Sequence, residues 1–459
     1  MYFELVYDKS LAQASYIIGC QKSGIVAIID PKRDIDTYLK IAKKNNFKIT
    51  HILETHIHAD FLCGSRELAA ITGGELYLSD EGDEDWKYEF PHNKLKHGYI
   101  VKIGNISIEA LHTPGHTPEH LSFLLTDHPA TDKPAMLFTG DFVFVGDVGR
   151  PDLLEQAAGL KGTQEKGAHD LFNSLQDFVK MADFILLWPG HGAGSACGKA
   201  LGAVHMSTIG YEKIRNWALQ LLHDKAKFTE ELLSNQPEPP RYFAMMKKLN
   251  KVERKLITEV PKIKNLNQPE YQETKKKNLK LIDTRPKEQF SKHFLKGAIN
   301  IPNNNSFSTW MGWFLNYQEY FVLVATPDEV EDLTRKLMRI GMDNIYGFIT
   351  PEQLLAFEKG PLSSYNSIDK QAVKQKLKDT EVQIIDIRGK SEYNEGHIDG
   401  AKNVFMGTMD ENLNKIDNKK QVIIYCGSGN RSAIAYSLLT ANGFNNILNY
   451  GGGWSDWKS

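Results

Sequence analysis

Apolar positions along this chain gather into short blocks, and most blocks are followed by loops rich in glycine, proline or histidine. Gln421-Val422-Ile423-Ile424-Tyr425 is β-branched and apolar, which predicts a buried strand. Ser432-Ala433-Ile434-Ala435-Tyr436-Ser437-Leu438-Leu439 has helical spacing. Ile49 to Leu53 predicts another strand, and similar apolar runs precede Thr113, Asp141 and Gly190. Residues 205–258 are predicted mostly helical, broken at Pro237-Glu238-Pro239-Pro240, and are expected to pack on the segment before them.

The last two hundred residues contain a repeat. Leu281-Ile282-Asp283-Thr284-Arg285 is echoed by Ile384-Ile385-Asp386-Ile387-Arg388, and Gly297-Ala298-Ile299-Asn300 by Gly400-Ala401-Lys402-Asn403, at the same internal spacing. Each copy alternates short apolar strands with helical segments, which implies a parallel α/β sheet. A period near ~100 residues means tandem domains rather than solenoid units. The lysine-rich stretch Lys262 to Lys280 reads as a linker plus the start of the first copy, and Gly360-Pro361-Leu362-Ser363-Ser364 marks the next boundary. The expected domains are therefore 1–260, 261–360 and 361–459.

The copies differ where chemistry is expected. In the second, Cys426-Gly427-Ser428-Gly429-Asn430-Arg431-Ser432 joins the strand to the helix. A glycine-rich turn there points N–H groups inward, and the helix dipole adds positive potential. That cradle favours a thiolate and an anion above it. The first copy has Val324-Ala325-Thr326-Pro327-Asp328-Glu329-Val330 instead, without nucleophile, glycines or arginine, and Pro327 also removes a backbone donor. Four residues separate Cys426 from Arg431, too short a ring for a tetrahedral phosphate. The loop resembles that of the rhodanese sulfurtransferases, which implies a persulfide carried on Cys426. Arg431 would then be catalytic beside Cys426, and the loop residues Gly427, Ser428, Gly429, Asn430 and Ser432 would bind substrate. The first copy would be an inactive rhodanese fold.

A second chemical series lies upstream. Thr55-His56-Ile57-His58-Ala59-Asp60, Thr113-Pro114-Gly115-His116-Thr117, Thr139-Gly140-Asp141 and Trp188-Pro189-Gly190-His191 each follow a strand-like run. The series resembles the metallo-β-lactamase fold over about residues 1–205. That family usually continues its first motif with a further histidine, but here Phe61 follows Asp60. The run Gly146-Asp147-Val148-Gly149-Arg150-Pro151-Asp152-Leu153 resembles the persulfide dioxygenase branch. This resemblance implies one Fe(II) per chain on His56, His116 and Asp141, two imidazoles and one carboxylate. It places His58, Asp60 and His191 behind the ligands, Arg150 on the carrier's carboxylate or phosphate, and Cys197 beside the metal as a catalytic candidate. His112, His120, His51 and Cys63 are expected to be structural, and Cys20 carries no signal.

Composition narrows the partners. The 459 residues carry a formal net charge of −2, so nothing points to nucleic acid or an anionic membrane. Four scattered cysteines fit a reducing compartment, and no apolar run or leader pattern points to a membrane or export, so a cytoplasmic location is expected. The expected architecture is α/β: a metallo-β-lactamase αββα sandwich followed by two tandem rhodanese-like domains. The resemblance implies O₂-dependent oxidation of low-molecular-weight thiol persulfides to sulfite, then sulfur transfer from Cys426 giving thiosulfate, in a homo-oligomer. The alternatives are a zinc thioester hydrolase of the glyoxalase II type fused to a sulfurtransferase, and a sulfur-relay scaffold without oxygenase activity.

Overall fold

The computed structural model describes residues 1–153, 155, 162–199 and 201–459. The chain divides into two compact units, Met1–Val260 with Met338–Gly341, and Pro261–Leu337 with Met342–Ser459. Among the described residues no helix is long and apolar enough to cross a membrane.

The first unit is built on two six-stranded sheets. One runs in the order β1 (Tyr2–Asp8), β2 (Gln13–Cys20), β3 (Ile25–Ile29), β4 (Lys48–Leu53), β5 (Glu75–Ser79) and β6 (Asn93–Leu95). In the other, β7 (Ile100–Ile103), β8 (Ile106–His112), β9 (Leu121–Asp127), β10 (Met136–Gly140), β11 (Leu186–Pro189) and β12 (Ser207–Thr208) are neighbours in chain order. Ala14, Tyr16 and Ile18 of the first sheet and Ile108, Phe123 and Phe138 of the second share one core. The alternate residue Ile17 turns the other way, onto Tyr38 and Leu68 of the outer helices Asp36–Lys44 and Ser65–Thr72. All eight residues of β2 are therefore buried, as a strand covered on both faces must be. The helices Thr163–Phe178 and Lys225–Leu233 cover the second sheet through Leu171, Leu175, Phe228 and Leu232. The layering is the expected αββα sandwich.

The helix Phe243–Lys251 holds the loop after β4. Asn250 donates through Nδ2 to the carbonyls of His58 and Phe61, both at 2.8 Å, and accepts from Cys63 N–H at 2.9 Å. Tyr242 donates its hydroxyl to Asp60 O at 2.8 Å.

The second unit contains two all-parallel sheets. The first is ordered β14 (Ile299–Asn300), β13 (Lys280–Asp283), β15 (Phe321–Val324), β16 (Ile345–Ile349). The second is ordered β17 (Ser367–Ile368), β21 (Ile447–Tyr450), β20 (Gln421–Tyr425), β18 (Val382–Asp386), β19 (Lys402–Asn403). The sequence repeat has a structural meaning. Arg285 and Arg388 each fold back on the aspartate two residues earlier, at 2.6 Å. Asn300 and Asn403 each donate to the backbone carbonyls of both members of that pair. The device pins the crossover from β13 to β14 in one copy and from β18 to β19 in the other, so it is needed whether or not the copy has a nucleophile.

Candidate metal centre and sulfur-transfer loop

Four strand ends supply the metal-site residues: the loops after β4, β8, β10 and β11 carry His56–Asp60, His116, Asp141 and His191. His56, His116 and Asp141 are buried and present ligand atoms within 4.8 Å of one another. A second set, Asp60, His191 and Cys197, meets the same condition.

Each imidazole is aimed by its other nitrogen. His116 Nδ1 lies 2.9 Å from Arg150 O, and His191 Nδ1 lies 3.2 Å from Ala12 O. A carbonyl only accepts, so both rings carry their proton on Nδ1 and leave Nε2 free as a ligand. His56 Nδ1 sits 3.0 Å from Thr55 Oγ1, whose hydroxyl donates to Asp30 at 2.8 Å. Asp30 also accepts Thr55 N–H at 2.8 Å and pairs with His58 at 3.1 Å. Sequence reading missed Asp30, because a single aspartate after a strand carries no distinctive signal.

The electrostatics favour a cation. Burial, reinforced by the neighbouring imidazoles, holds His56 well below its ordinary value, and burial also lowers His116. Both rings are neutral bases. Burial opposes the charge on Asp141, but His191 and His116 outweigh it and hold the group below the usual carboxylate range. His58 is pushed down by burial, but Asp30 lifts it to about 9. Burial and the carboxylates of Asp60 and Asp141 raise Cys197 well above a normal thiol, so it stays protonated. His56 Nε2, His191 Nε2, Asp60 Oδ1 and both Asp141 carboxylate oxygens are buried without a hydrogen-bond partner. Orphaned buried acceptors of this density cost several kcal/mol unless a cation meets them. The residues present therefore fit a metal ion. Gly190 is required beside them: a Cβ there would lie 2.7 Å from Asp141 Oδ1.

His120 lies outside both sets: its Nε2 accepts Asp141 N–H at 3.1 Å, and its Nδ1 pairs with Thr113 Oγ1 at 2.9 Å. Phe61 packs its ring 4.3 Å from His58. Arg150 differs from its expected role on the carrier. It is fully buried, grips Asp152 with two bonds of 2.7 and 2.6 Å, and donates to Pro237 O at 2.7 Å and Ala196 O at 3.3 Å. Its donors are spent on the scaffold, and its carbonyl positions His116.

Glu119 carries a pH signature. It accepts Ile57 N–H at 2.7 Å next to the first metal-site loop, and burial raises its carboxyl to about 7. The folded chain thus binds this proton more tightly than the unfolded chain does. Stability falls as pH rises from the ordinary value of 4.5 through about 7. Glu119→Gln keeps an acceptor and removes the titration. Its Tm relative to the parent is expected to improve between about pH 5 and about pH 8. A difference independent of pH would refute this role.

In the second unit, Gly429 N–H points at Cys426 Sγ, 3.1 Å away. Gly429 has φ +83°, and a Cβ there would lie 2.1 Å from Gly451 O, so only glycine closes this turn. Trp454 N–H and Ser455 N–H donate to Cys426 O and Gly427 O at 2.7 and 2.9 Å, pinning the loop from the last helix. Arg431 does not stand alone as a cation. It forms two 2.6 Å bonds to Glu392, whose carboxyl burial would raise but Arg431 holds low. Glu392 lies 39 residues earlier and was not singled out from the sequence. In the first copy, which lacks the cysteine, Thr326 N–H and hydroxyl both donate to Glu329, at 3.2 and 2.8 Å, so a carboxylate stands where the second copy has its cradle.

Comparison with known proteins places these sites in context. The metallo-beta-lactamase superfamily model matches residues 10–191, and the rhodanese-like domain model matches residues 369–459. A crystal structure of a metallo-beta-lactamase from Staphylococcus aureus subsp. aureus COL is 44% identical, with a TM-score of 0.71. It covers 76% of this chain and 99% of its own. A hydroxyacylglutathione hydrolase of Nitrosococcus oceani is 35% identical over 136 residues, 29% of this chain and 49% of that protein. A probable polyketide biosynthesis zinc-dependent hydrolase, BaeB, of Bacillus velezensis is 24% identical over 208 residues, 45% of this chain and 84% of that protein. This chain thus spans about half the length of the hydroxyacylglutathione hydrolase it matches.

Proposed function

We propose a function from one premise: the chain belongs to the metallo-beta-lactamase superfamily and carries a rhodanese-like domain downstream. The reaction is oxidation of a low-molecular-weight persulfide by O₂ to sulfite, followed by transfer of sulfane sulfur to sulfite at Cys426. The observation that carries it is the buried set of two imidazoles and one carboxylate, His56, His116 and Asp141, in one chain with a cradled cysteine. One Fe(II) held by these three residues would supply O₂ activation.

The chain's own residues do the rest. Arg150 O and Thr55 Oγ1 fix the two imidazoles, and the burial of His56, His116 and Asp141 excludes bulk water. The His58–Asp30 pair sits behind His56 and keeps a proton near the site. Persulfide, O₂ and water give thiol, sulfite and two protons; the outer sulfur is oxidised and O₂ is reduced. At Cys426 a second persulfide gives up its outer sulfur. A bond forms to Sγ, the carrier's S–S bond breaks, and the carrier leaves as thiolate. Sulfite then attacks that sulfur, releasing thiosulfate and the Cys426 thiolate. Gly429 N–H and the helix N-terminus stabilise the sulfur anion.

Metal analysis of anaerobically purified protein, together with O₂ uptake on glutathione persulfide, tests this reading. About one iron per chain and O₂ consumption matched by sulfite or thiosulfate are expected. The second reading, a zinc thioester hydrolase, is favoured by the Asp60–His191–Cys197 set beside the first. Two zinc ions, thioester cleavage and no O₂ uptake would decide for it.

A further inference from the structure

The helix Asn430–Ala441, which begins within the Cys426 loop, is buried without a break from Ser432 to Thr440. A helix buried all round needs cover on both sides. Its own sheet covers one side. The inactive copy meets it as well: Asn300 N–H donates to Ser437 Oγ at 2.9 Å, and Lys287 Nζ donates to Asn430 Oδ1 at 2.7 Å. The inactive copy is thus built against the reactive loop.

A cavity of about 310 Å³ lies at this junction. On the side of the first copy it is lined by Thr284 and Asn303, just beyond the C-terminal ends of two strands, by Trp310 of the helix Phe307–Phe314 and by Glu329 ahead of the helix Val330–Arg339, and on the other side by Asn430 and Arg431. Ligands of parallel α/β sheets bind at those strand ends. The volume sits at the lower end of small-molecule sites, ~300–1,000 Å³. The charges are divided. Lys287 and Arg431, the latter also paired with Glu392, stand on the lining together with the carboxylates of Glu288 and Glu329. A bare oxyanion would meet those carboxylates as well as the cations. A molecule carrying both an ammonium and a carboxylate satisfies both signs, and Trp310 adds apolar surface to the lining.

We propose that this cavity binds the carrier of the sulfur exchanged at Cys426, a small zwitterionic thiol with a free amine and a free carboxylate. The inactive copy would then set carrier specificity. The inference rests on sulfur transfer at Cys426, proposed above. Arg431 joins the two places, since it lines the cavity and its guanidinium approaches Gly427 of the loop.

The test uses the full chain, thiosulfate as donor, and two acceptors, reduced glutathione and cyanide. Thiosulfate loads Cys426 and releases sulfite. The acceptor then takes the sulfur, breaking the Cys426 S–S bond and giving glutathione persulfide or thiocyanate. Cyanide has neither amine nor carboxylate. In Glu329→Gln and Trp310→Ala, the ratio of kcat/KM for glutathione to that for cyanide is expected to fall about tenfold or more, mainly through KM for glutathione. An unchanged ratio in both variants overturns the proposal. A parent chain inactive with cyanide would instead count against sulfur transfer itself. Calorimetry of reduced glutathione on Cys426→Ser protein then decides the binding question. Affinity weakened about tenfold by Glu329→Gln in that background supports the subsite, and unaltered affinity rejects it.

Discussion

Cys426→Ser protein is expected to consume O₂ with a persulfide at the parent rate, yet to release sulfite where the parent releases thiosulfate. A hydroxyl is close in size to a thiol, but it stays protonated and does not accept sulfane sulfur. Thiosulfate formation should drop by ~10³-fold or more, the scale seen when a nucleophile is deleted. The loop should keep its shape, because the bonds that pin it from Trp454 and Ser455 use the backbone oxygens of Cys426 and Gly427. None of the residues gathered at the metal centre lies in this part of the chain. Quantifying sulfite and thiosulfate beside O₂ uptake checks the result. Thiosulfate made at the normal rate would mean that another thiol, or free chemistry, carries the transfer.

His116→Ala is expected to have the opposite effect. It removes one of three convergent ligand atoms and leaves the Arg150 carbonyl without its imidazole donor. Loss of a supporting partner alone costs ~10–100-fold in metal affinity. Loss of a ligand should exceed that, so protein purified without added metal should hold little iron and show no persulfide-dependent O₂ uptake. Thiosulfate:cyanide sulfurtransfer at Cys426 should continue, which separates a local metal defect from misfolding. Full iron occupancy in this variant would sink the three-ligand assignment.

Some of this protein was determined by sequence alone. The strand–loop series holding His56, His116, Asp141 and His191 is legible because each piece is local: an apolar strand sets its own direction, and the next few residues fall at its end. The Cys426 loop is legible for the same reason, since nucleophile, glycines and helix start are contiguous. The repeat is legible because its aspartate–arginine pair spans two residues and recurs at fixed spacing.

Only the tertiary structure decided the partners. Arg150 looked like a substrate-binding residue. It became a buried strut once Pro237, 87 residues away, supplied a carbonyl to it. Arg431 was legible as part of the Cys426 loop, but only the fold set Glu392 against it. Cys197 joined Asp60 and His191 across most of the first unit, giving a second ligand set where Phe61 had suggested a missing arm. Glu329, an unremarkable acid in the copy without a cysteine, came to line a cavity shared with Arg431. Such pairings leave no periodic trace in the chain. They arise from loop ends brought together by sheet order, and burial then forces each polar group to find a partner.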